Sequence, residues 1–287
     1  MATRQTQAIA RLAVAPSIAV LFLWMIVPLA MTIYFSFLRY NLMNPDITGW
    51  AGWSNYYYFV TDPSFSSAII NTLLLLAIVI VISIVGGTLM ALLLDQPMWG
   101  QGIVRLLVIS PFFIMPTVSA LVWKNLLMNP IYGLFAFIQQ TFGFQPFDWF
   151  ARAPLLSVAL IVAWQWMPFA ALILLTSLQS LDEEQRDAAS MDGAGVLPYF
   201  GYIVLPHLAR AMTVVILIET IFLLNIFAEI YVTSVGGLAG NLTYLVYFQG
   251  LLNFDIGEAS AGGLIAVILA NIVSIFLVRM IGRNLEA

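Results

Sequence analysis

Among the 287 residues there is no cysteine, one histidine (His207) and one lysine (Lys124), and charged residues make up only 8%. Without cysteine there are no disulfides and no thiolate metal sites. A single histidine leaves no material for a histidine metal cluster or a serine-histidine relay, and His207 reads as an interfacial residue at a helix end. The net charge of −4, with no basic cluster, offers nothing to neutralise nucleic-acid phosphates. A phosphate loop needs G-x-x-x-x-G-K-[ST], and the lone lysine lies in LVWKNLL, which has no such glycines. A chain this poor in His, Cys, Lys and paired carboxylates is not expected to be an enzyme, and no catalytic residue and no metal ligand is assigned.

What is present is apolar length. Hydrophobic residues make up 62% of the chain, whereas a soluble domain is about a quarter charged. The sparse charges separate apolar runs that each accommodate a span of about 20 residues, at about 12–38, 67–94, 106–123, 155–180, 211–235 and 260–280. Each run is continuously apolar instead of alternating, so helices are expected and barrel strands are not. Arg4 and Arg11 precede the first run as in a signal peptide, but its apolar part far exceeds a signal core of about 7–15 residues, which predicts an uncleaved span. The expected fold is an all-α membrane protein with six transmembrane helices in a single domain over 1–287.

Orientation follows from the arginines. With the N-terminus inside, Arg4, Arg11, Arg105, Arg186, Arg210, Arg279 and Arg283 are cytoplasmic, against Arg39, Lys124 and Arg152 outside. The positive-inside rule therefore places both termini and the segment of about 181–209 in the cytoplasm. The stretch Asn125 to Phe147 is uncharged, and IYGLFAFIQQTF within it fits an interfacial helix on the outer face.

The segment EEQRDAASMDGAGVLPYFGYIVLP, residues 183–206, is the one polar interruption. Ser180 and Glu183 fit an S-x-x-E capping box, Asp182, Glu183 and Glu184 suit the positive end of a helix dipole, and Gly193 or Gly195 supplies a stop. Pro198 suits the start of a second helix and Pro206 its end. The spacing thus predicts a cytoplasmic helix-turn-helix between spans four and five. Ala188 and Ala189 leave room for another protein's backbone. Read from these residues alone, the segment fits either a docking element or a solvated connector.

The stretch from Asp187 to Pro206 resembles the EAA loop of binding-protein-dependent ABC transporter permeases: E-A-A, three residues, G, nine residues, I-x-L-P. Ala188, Ala189, Gly193, Ile203, Leu205 and Pro206 fall in register, Asp192-Gly193-Ala194 matches D-G-A, and Asp187 stands where the family has glutamate. The likeness extends to the sugar-permease group through Asn55, Tyr56, Asp62, Pro63, Phe65, Asn71 and Thr72, then Pro111, Pro116, Trp123, Asn129, Pro130 and Gly133, and then FAEIYVTSVGG. The resemblance implies a multi-pass inner-membrane subunit importing a sugar or sugar alcohol. It implies an EAA loop coupled to an ATPase through Asp187, Ala188, Ala189, Asp192, Gly193, Ala194, Ile203, Leu205 and Pro206. The implied partners are a second permease of the same fold, two ATP-binding subunits that hold ATP and magnesium, an extracytoplasmic solute-binding protein, and lipid. No cofactor is expected in this chain.

A path for a polyol needs polar groups inside the bundle. Glu219 and Glu229 lie in apolar sequence, where a charge at the membrane centre costs about 2.5–3.5 kcal/mol on insertion scales. Asn225 and Glu229, four residues apart, share a helical face, whereas Glu219 lies elsewhere on the helix. In AWQWMPF, Gln165 and Trp166 add an amide and an aromatic face before a kink expected at Pro168. Gln165, Trp166, Asn225 and Glu229 are the candidate path, with a structural role for each left open. An ion-coupled secondary carrier using Glu219 and Glu229 is the alternative, although no internal repeat of the kind such carriers show is visible.

Overall fold

The computed structural model describes residues 4–285. In chain order the elements are α1 (Arg4–Ser36), β1 (Leu38–Arg39), β2 (Gly49–Trp50), α2 (Ser54–Thr61), α3 (Phe65–Asp95), α4 (Gln101–Ile109), α5 (Pro116–Val122), α6 (Leu134–Thr141), α7 (Trp149–Arg152) and α8 (Pro154–Leu178), followed by α9 (Glu183–Met191), α10 (Val196–Tyr199), α11 (Leu205–Leu223), α12 (Ala228–Thr233), α13 (Gly236–Ala239), α14 (Leu242–Tyr247) and α15 (Ile256–Leu285). The expected all-helical fold is modified by the antiparallel pair Leu38↔Trp50 and Arg39↔Gly49 and by an isolated bridge, Asn41↔Asp255.

Packing divides the chain into two units: residues up to 65 with Leu245–Ile268, and Ser66–Tyr244 with residues from 269 on. In the first unit the Asn55 amide donates to the carbonyls of Ser36 and Leu38, both at 2.8 Å, closing the turn where α1 ends. Gln249 donates to Asp62 at 2.9 Å, and the Asp62 carboxylate also accepts from the Ser64 N–H at 2.6 Å. The apolar stretch of α1, Ala13–Ser36, has none of its span-length window buried.

The second unit is organised on α8, which has 61% of its span-length window buried. Lipid tails are as apolar as leucine, so helices associate in a bilayer through close packing, and small residues permit it. Ala159, Ala163, Ala170 and Ala171 supply that surface on α8 and are fully or almost fully buried. Gly87 of α3 meets it: a Cβ there would stand 2.8 Å from the Ala170 Cβ and 3.1 Å from the Ala171 backbone nitrogen. Two apolar clusters lie along α8. One joins Leu75 and Val79 to Val158, Val162, Leu223 and Ile230; the other joins Ala91 and Leu94 to Leu174, Leu178, Val204 and Leu208.

Among the described residues five helices are long and apolar enough to cross a membrane, and a bent pair counted as one span makes a sixth. Two of the expected spans differ in form. The third, read as one helix over 106–123, is two arms, Gln101–Phe113 and Pro116–Leu127, meeting at 102°. Pro116 lacks the N–H that would continue the ladder, and the preceding residue is pushed to extended backbone; Met115 has ψ 135°. The fifth, read as 211–235, instead runs from Val196 to Leu223 and then breaks. Leu134–Thr141 is helical, as IYGLFAFIQQTF suggested.

Candidate functional site

The helix α9 presents Glu184, Gln185, Arg186, Asp187 and Ala188 to the surface, while Ala189 is buried. Its end is a Schellman turn, with the Gly193 N–H on the Ser190 carbonyl at 3.1 Å and the Ala194 N–H on the Ala189 carbonyl at 2.9 Å. Gly193 has φ 73°, the left-handed region that favours glycine. The stop assigned to Gly193 or Gly195 is therefore Gly193. The N-cap position is taken by Asp182 and not by Ser180, whose hydroxyl donates to the Ser177 carbonyl at 2.7 Å; the Glu183 side chain of the expected capping box lies outside the described residues. His207 donates from Nε2 to the same Ser177 carbonyl at 2.8 Å, tying α11 to the end of α8.

Pro206 does not end a helix, contrary to the spacing argument. It lies within the long helix Val196–Leu223, just after a π-helical segment, Phe200–Val204, in which the Leu205 N–H reaches back five residues to the Phe200 carbonyl. A proline removes one bond and crowds the carbonyl four residues earlier, and the wider turn is where the helix absorbs both. Ile203 is half-buried there, and Leu205 and Pro206 are exposed. A cavity of about 600 Å³ separates α9 from the end of α3, lined by Leu89, Leu92, Arg186, Ala189, Ala194 and Tyr199 among others. Of the alanine pair, Ala188 faces out and Ala189 faces this cavity.

The four interior candidates are not gathered in one shell. The Gln165 amide nitrogen donates to the Ile114 carbonyl at 2.5 Å, in the bend of the third span, and its buried oxygen has no partner. Trp166 lies in an aromatic group, with ring centroids 5.2 Å from Phe222, 5.5 Å from Phe112 and 5.9 Å from Phe169. Asn225 is exposed just beyond Phe222 and donates to the Ile221 carbonyl at 2.9 Å. Its shared face with Glu229 is a misreading, because the chain is non-helical between Leu223 and Ala228. Glu229 is buried on the short α12. Broken helices are tolerated at membrane depth where other groups satisfy the freed backbone. Here Asn241 donates to the Ile226 carbonyl at 2.6 Å and Thr243 to the Leu224 carbonyl at 3.2 Å.

Glu219 is fully buried, and neither carboxyl oxygen has a hydrogen-bond partner. The buried Ser83 hydroxyl is the polar side chain that interacts with Glu219, although the two fall short of hydrogen-bond geometry. Phe112, Phe169 and Phe222 were not singled out from the sequence, since aromatic residues in apolar runs carry no mark of what they face.

Several residues of the recognised motifs do structural work. Asn71 donates to the Gly240 carbonyl at 3.0 Å, Thr72 accepts from the Leu242 N–H at 3.0 Å, and Asn129 accepts from the N–H groups of Ile131 and Tyr132 at 2.9 and 3.2 Å.

Residues 83–287, which contain the capped helix, its glycine turn and the broken fifth span, match the family model described as the binding-protein-dependent transport system inner membrane component. The chain belongs to that family. This permease is 33% identical over 275 residues to a probable ABC transporter permease protein, y4oQ, of Sinorhizobium fredii, covering 94% of this chain and 88% of the relative. It is 27% identical over 259 residues to the trehalose/maltose transport system permease protein MalF of Thermococcus litoralis, covering 90% and 87%. Its fold matches a chain in the crystal structure of a bacterial alginate ABC transporter in complex with alginate pentasaccharide-bound periplasmic protein, with TM-score 0.80, 18% identity and 96% and 94% of the two chains covered. The permease is thus a multi-pass inner-membrane transport component and not an enzyme.

Proposed function

We propose that the permease imports a sugar or sugar alcohol delivered by an extracytoplasmic binding protein, driven by ATP hydrolysed with magnesium in two separate subunits. It pairs with a second permease of the same fold, and both termini and the segment 181–209 are cytoplasmic. The observation that carries this reading is the exposed, Schellman-capped α9, a polar helix in a chain with only 8% charged residues. Asp187, Ala188, Asp192 and Gly193 would meet the ATPase there, and the helix continuing through Ile203, Leu205 and Pro206 into α11 carries the motion to the membrane as a rigid body. The sugar class is supported by the trehalose/maltose system named for one relative and the alginate named for a structural neighbour.

The solute's path is assigned to the aromatic group around Trp166, with Asn225 at its edge and Glu229 beyond the break. Aromatic faces cover the apolar side of a sugar ring, while amide and carboxylate exchange hydrogen bonds with its hydroxyls. Gln165 serves this path indirectly by holding the bend. The ion-coupled alternative built on Glu219 and Glu229 is set aside by membership of a binding-protein-dependent family.

The test is the complete complex in proteoliposomes, supplied with its binding protein and a panel of maltose, trehalose, mannitol and glycerol 3-phosphate. ATP hydrolysis and uptake should rise together with a sugar or polyol of the panel. Uptake that follows an imposed proton or sodium gradient without ATP would end the proposal. Reporter fusions after residues 190 and 284 should read cytoplasmic and those near 50 and 145 external; an external reading at 190 removes the coupling role.

A further inference from the structure

The one lysine of the chain sits where two irregularities meet. Lys124 belongs to a π-helical segment, Trp123–Leu127, that continues α5, with the Met128 N–H bonded to the Trp123 carbonyl at 2.7 Å. Its Nζ donates to the Val232 carbonyl at 2.9 Å and the Ser234 hydroxyl at 3.2 Å. Val232 is in the last turn of α12, and Ser234 closes that helix at φ 63°, a left-handed conformation uncommon outside glycine. Isolated π-turns and left-handed non-glycine residues both concentrate at functional positions, because surrounding structure must hold them there. Here Lys124, a member of the first, bonds to the residue that makes the second.

α12 needs such a tie. It has six residues, follows the non-helical stretch after Leu223, and ends in the turn at Ser234. It also carries Glu229, whose own carbonyl accepts from the Thr233 hydroxyl at 2.6 Å. A lysine bonding to terminal carbonyls both satisfies acceptors the helix cannot and makes charge-assisted hydrogen bonds, about twice as strong as neutral ones. We propose that Lys124 is a positioning residue for transport: by clasping the end of α12 to the third span, it sets where Glu229 stands on the solute's path. This rests on Glu229 lining that path, as proposed above.

Two readouts test it in the assembled complex. The chain has no cysteine, so Ile230→Cys, at a position fully buried on α12, carries its only thiol. Lys124→Met should raise the rate at which a water-soluble maleimide labels that thiol by about tenfold, the size of one lost charge-assisted hydrogen bond. Lys124→Arg, which can still donate to both oxygens, should label slowly. Unchanged labelling in Lys124→Met overturns the proposal.

The second readout is solute taken up per ATP hydrolysed, using the panel member that stimulates hydrolysis most. This ratio does not depend on how much protein is assembled. Lys124→Met should lower it by about tenfold and Lys124→Arg by less than about threefold. Lys124→Met combined with Glu229→Leu should be no worse than Glu229→Leu alone, since residues acting through one another are not additive. Additive losses would overturn the positioning role. A normal ratio in Glu229→Leu would instead remove the path assigned to Glu229, and with it the role of Lys124 as Glu229's support.

Discussion

Two of the helix breaks between the fourth span and the end of the fifth have opposite characters. At Gly193 the chain turns in the open, with polar residues facing out and the turn closed by its own backbone. At Leu224–Phe227 it turns inside the unit, with carbonyls satisfied by Asn241 and Thr243, and with Glu229 buried just beyond. The first break needs nothing from the rest of the chain and is free to meet another protein. The second is held by distant side chains and can present polar groups to a solute without exposing them to lipid.

If that contrast is right, the largest effect comes from the open turn. Gly193→Trp or Asp187→Lys should leave normal amounts of inserted protein yet lower sugar-stimulated ATP hydrolysis and uptake by more than tenfold, because bulky side chains at φ 73° are strained by about 1–2 kcal/mol and the charge reversal falls on the docking face. Gly193→Asn sharpens the point, since asparagine tolerates that conformation; it should retain most activity. Normal uptake in both disruptive variants would mean that the open turn is only a connector.

The interior break comes next. Asn225→Leu and Glu229→Leu should each lower uptake by about tenfold with assembly intact, while Glu229→Gln keeps part of the activity because it still accepts a hydrogen bond. Failure of the leucine variants only through loss of protein would make these groups purely structural.

Gln165→Leu should read out mainly as stability, lowering it by about 1–3 kcal/mol through the unpaired Ile114 carbonyl, as followed by thermal unfolding in detergent. The smallest effect belongs to the fully buried pair. Ser83→Ala with Glu219→Leu removes both members of a buried polar pair and should change stability by less than about 1 kcal/mol or raise it. A clear loss of transport in that double variant would show that the interior path extends to Glu219, and the contrast between the two breaks would need redrawing.

Charge gaps located the spans because each charge is expensive in lipid, and the polar run 183–206 stood out for the same reason. Gly193 was legible as a stop since few residues adopt its backbone conformation. The break after Leu223 was not, because hydropathy runs on through Leu224, Ile226 and Phe227 and the residues that permit the break, Asn241 and Thr243, lie well downstream. Pro206 misled for a related cause: the rule that proline ends a helix gives way when a π-turn takes up its missing bond. Trp166 was picked by its chemistry and Phe222 was not, although their rings stand 5.2 Å apart.

The bend of the third span bears on the order in which the chain enters the bilayer. Neither arm, Gln101–Phe113 or Pro116–Leu127, reaches the roughly 20 residues that cross a hydrocarbon layer alone. The Ile114 carbonyl exposed by the bend finds its donor 51 residues later, at Gln165. Lipid cannot supply that hydrogen bond. The hydrogen bonding of the third span is therefore complete only once α8 has been synthesised and packed beside it.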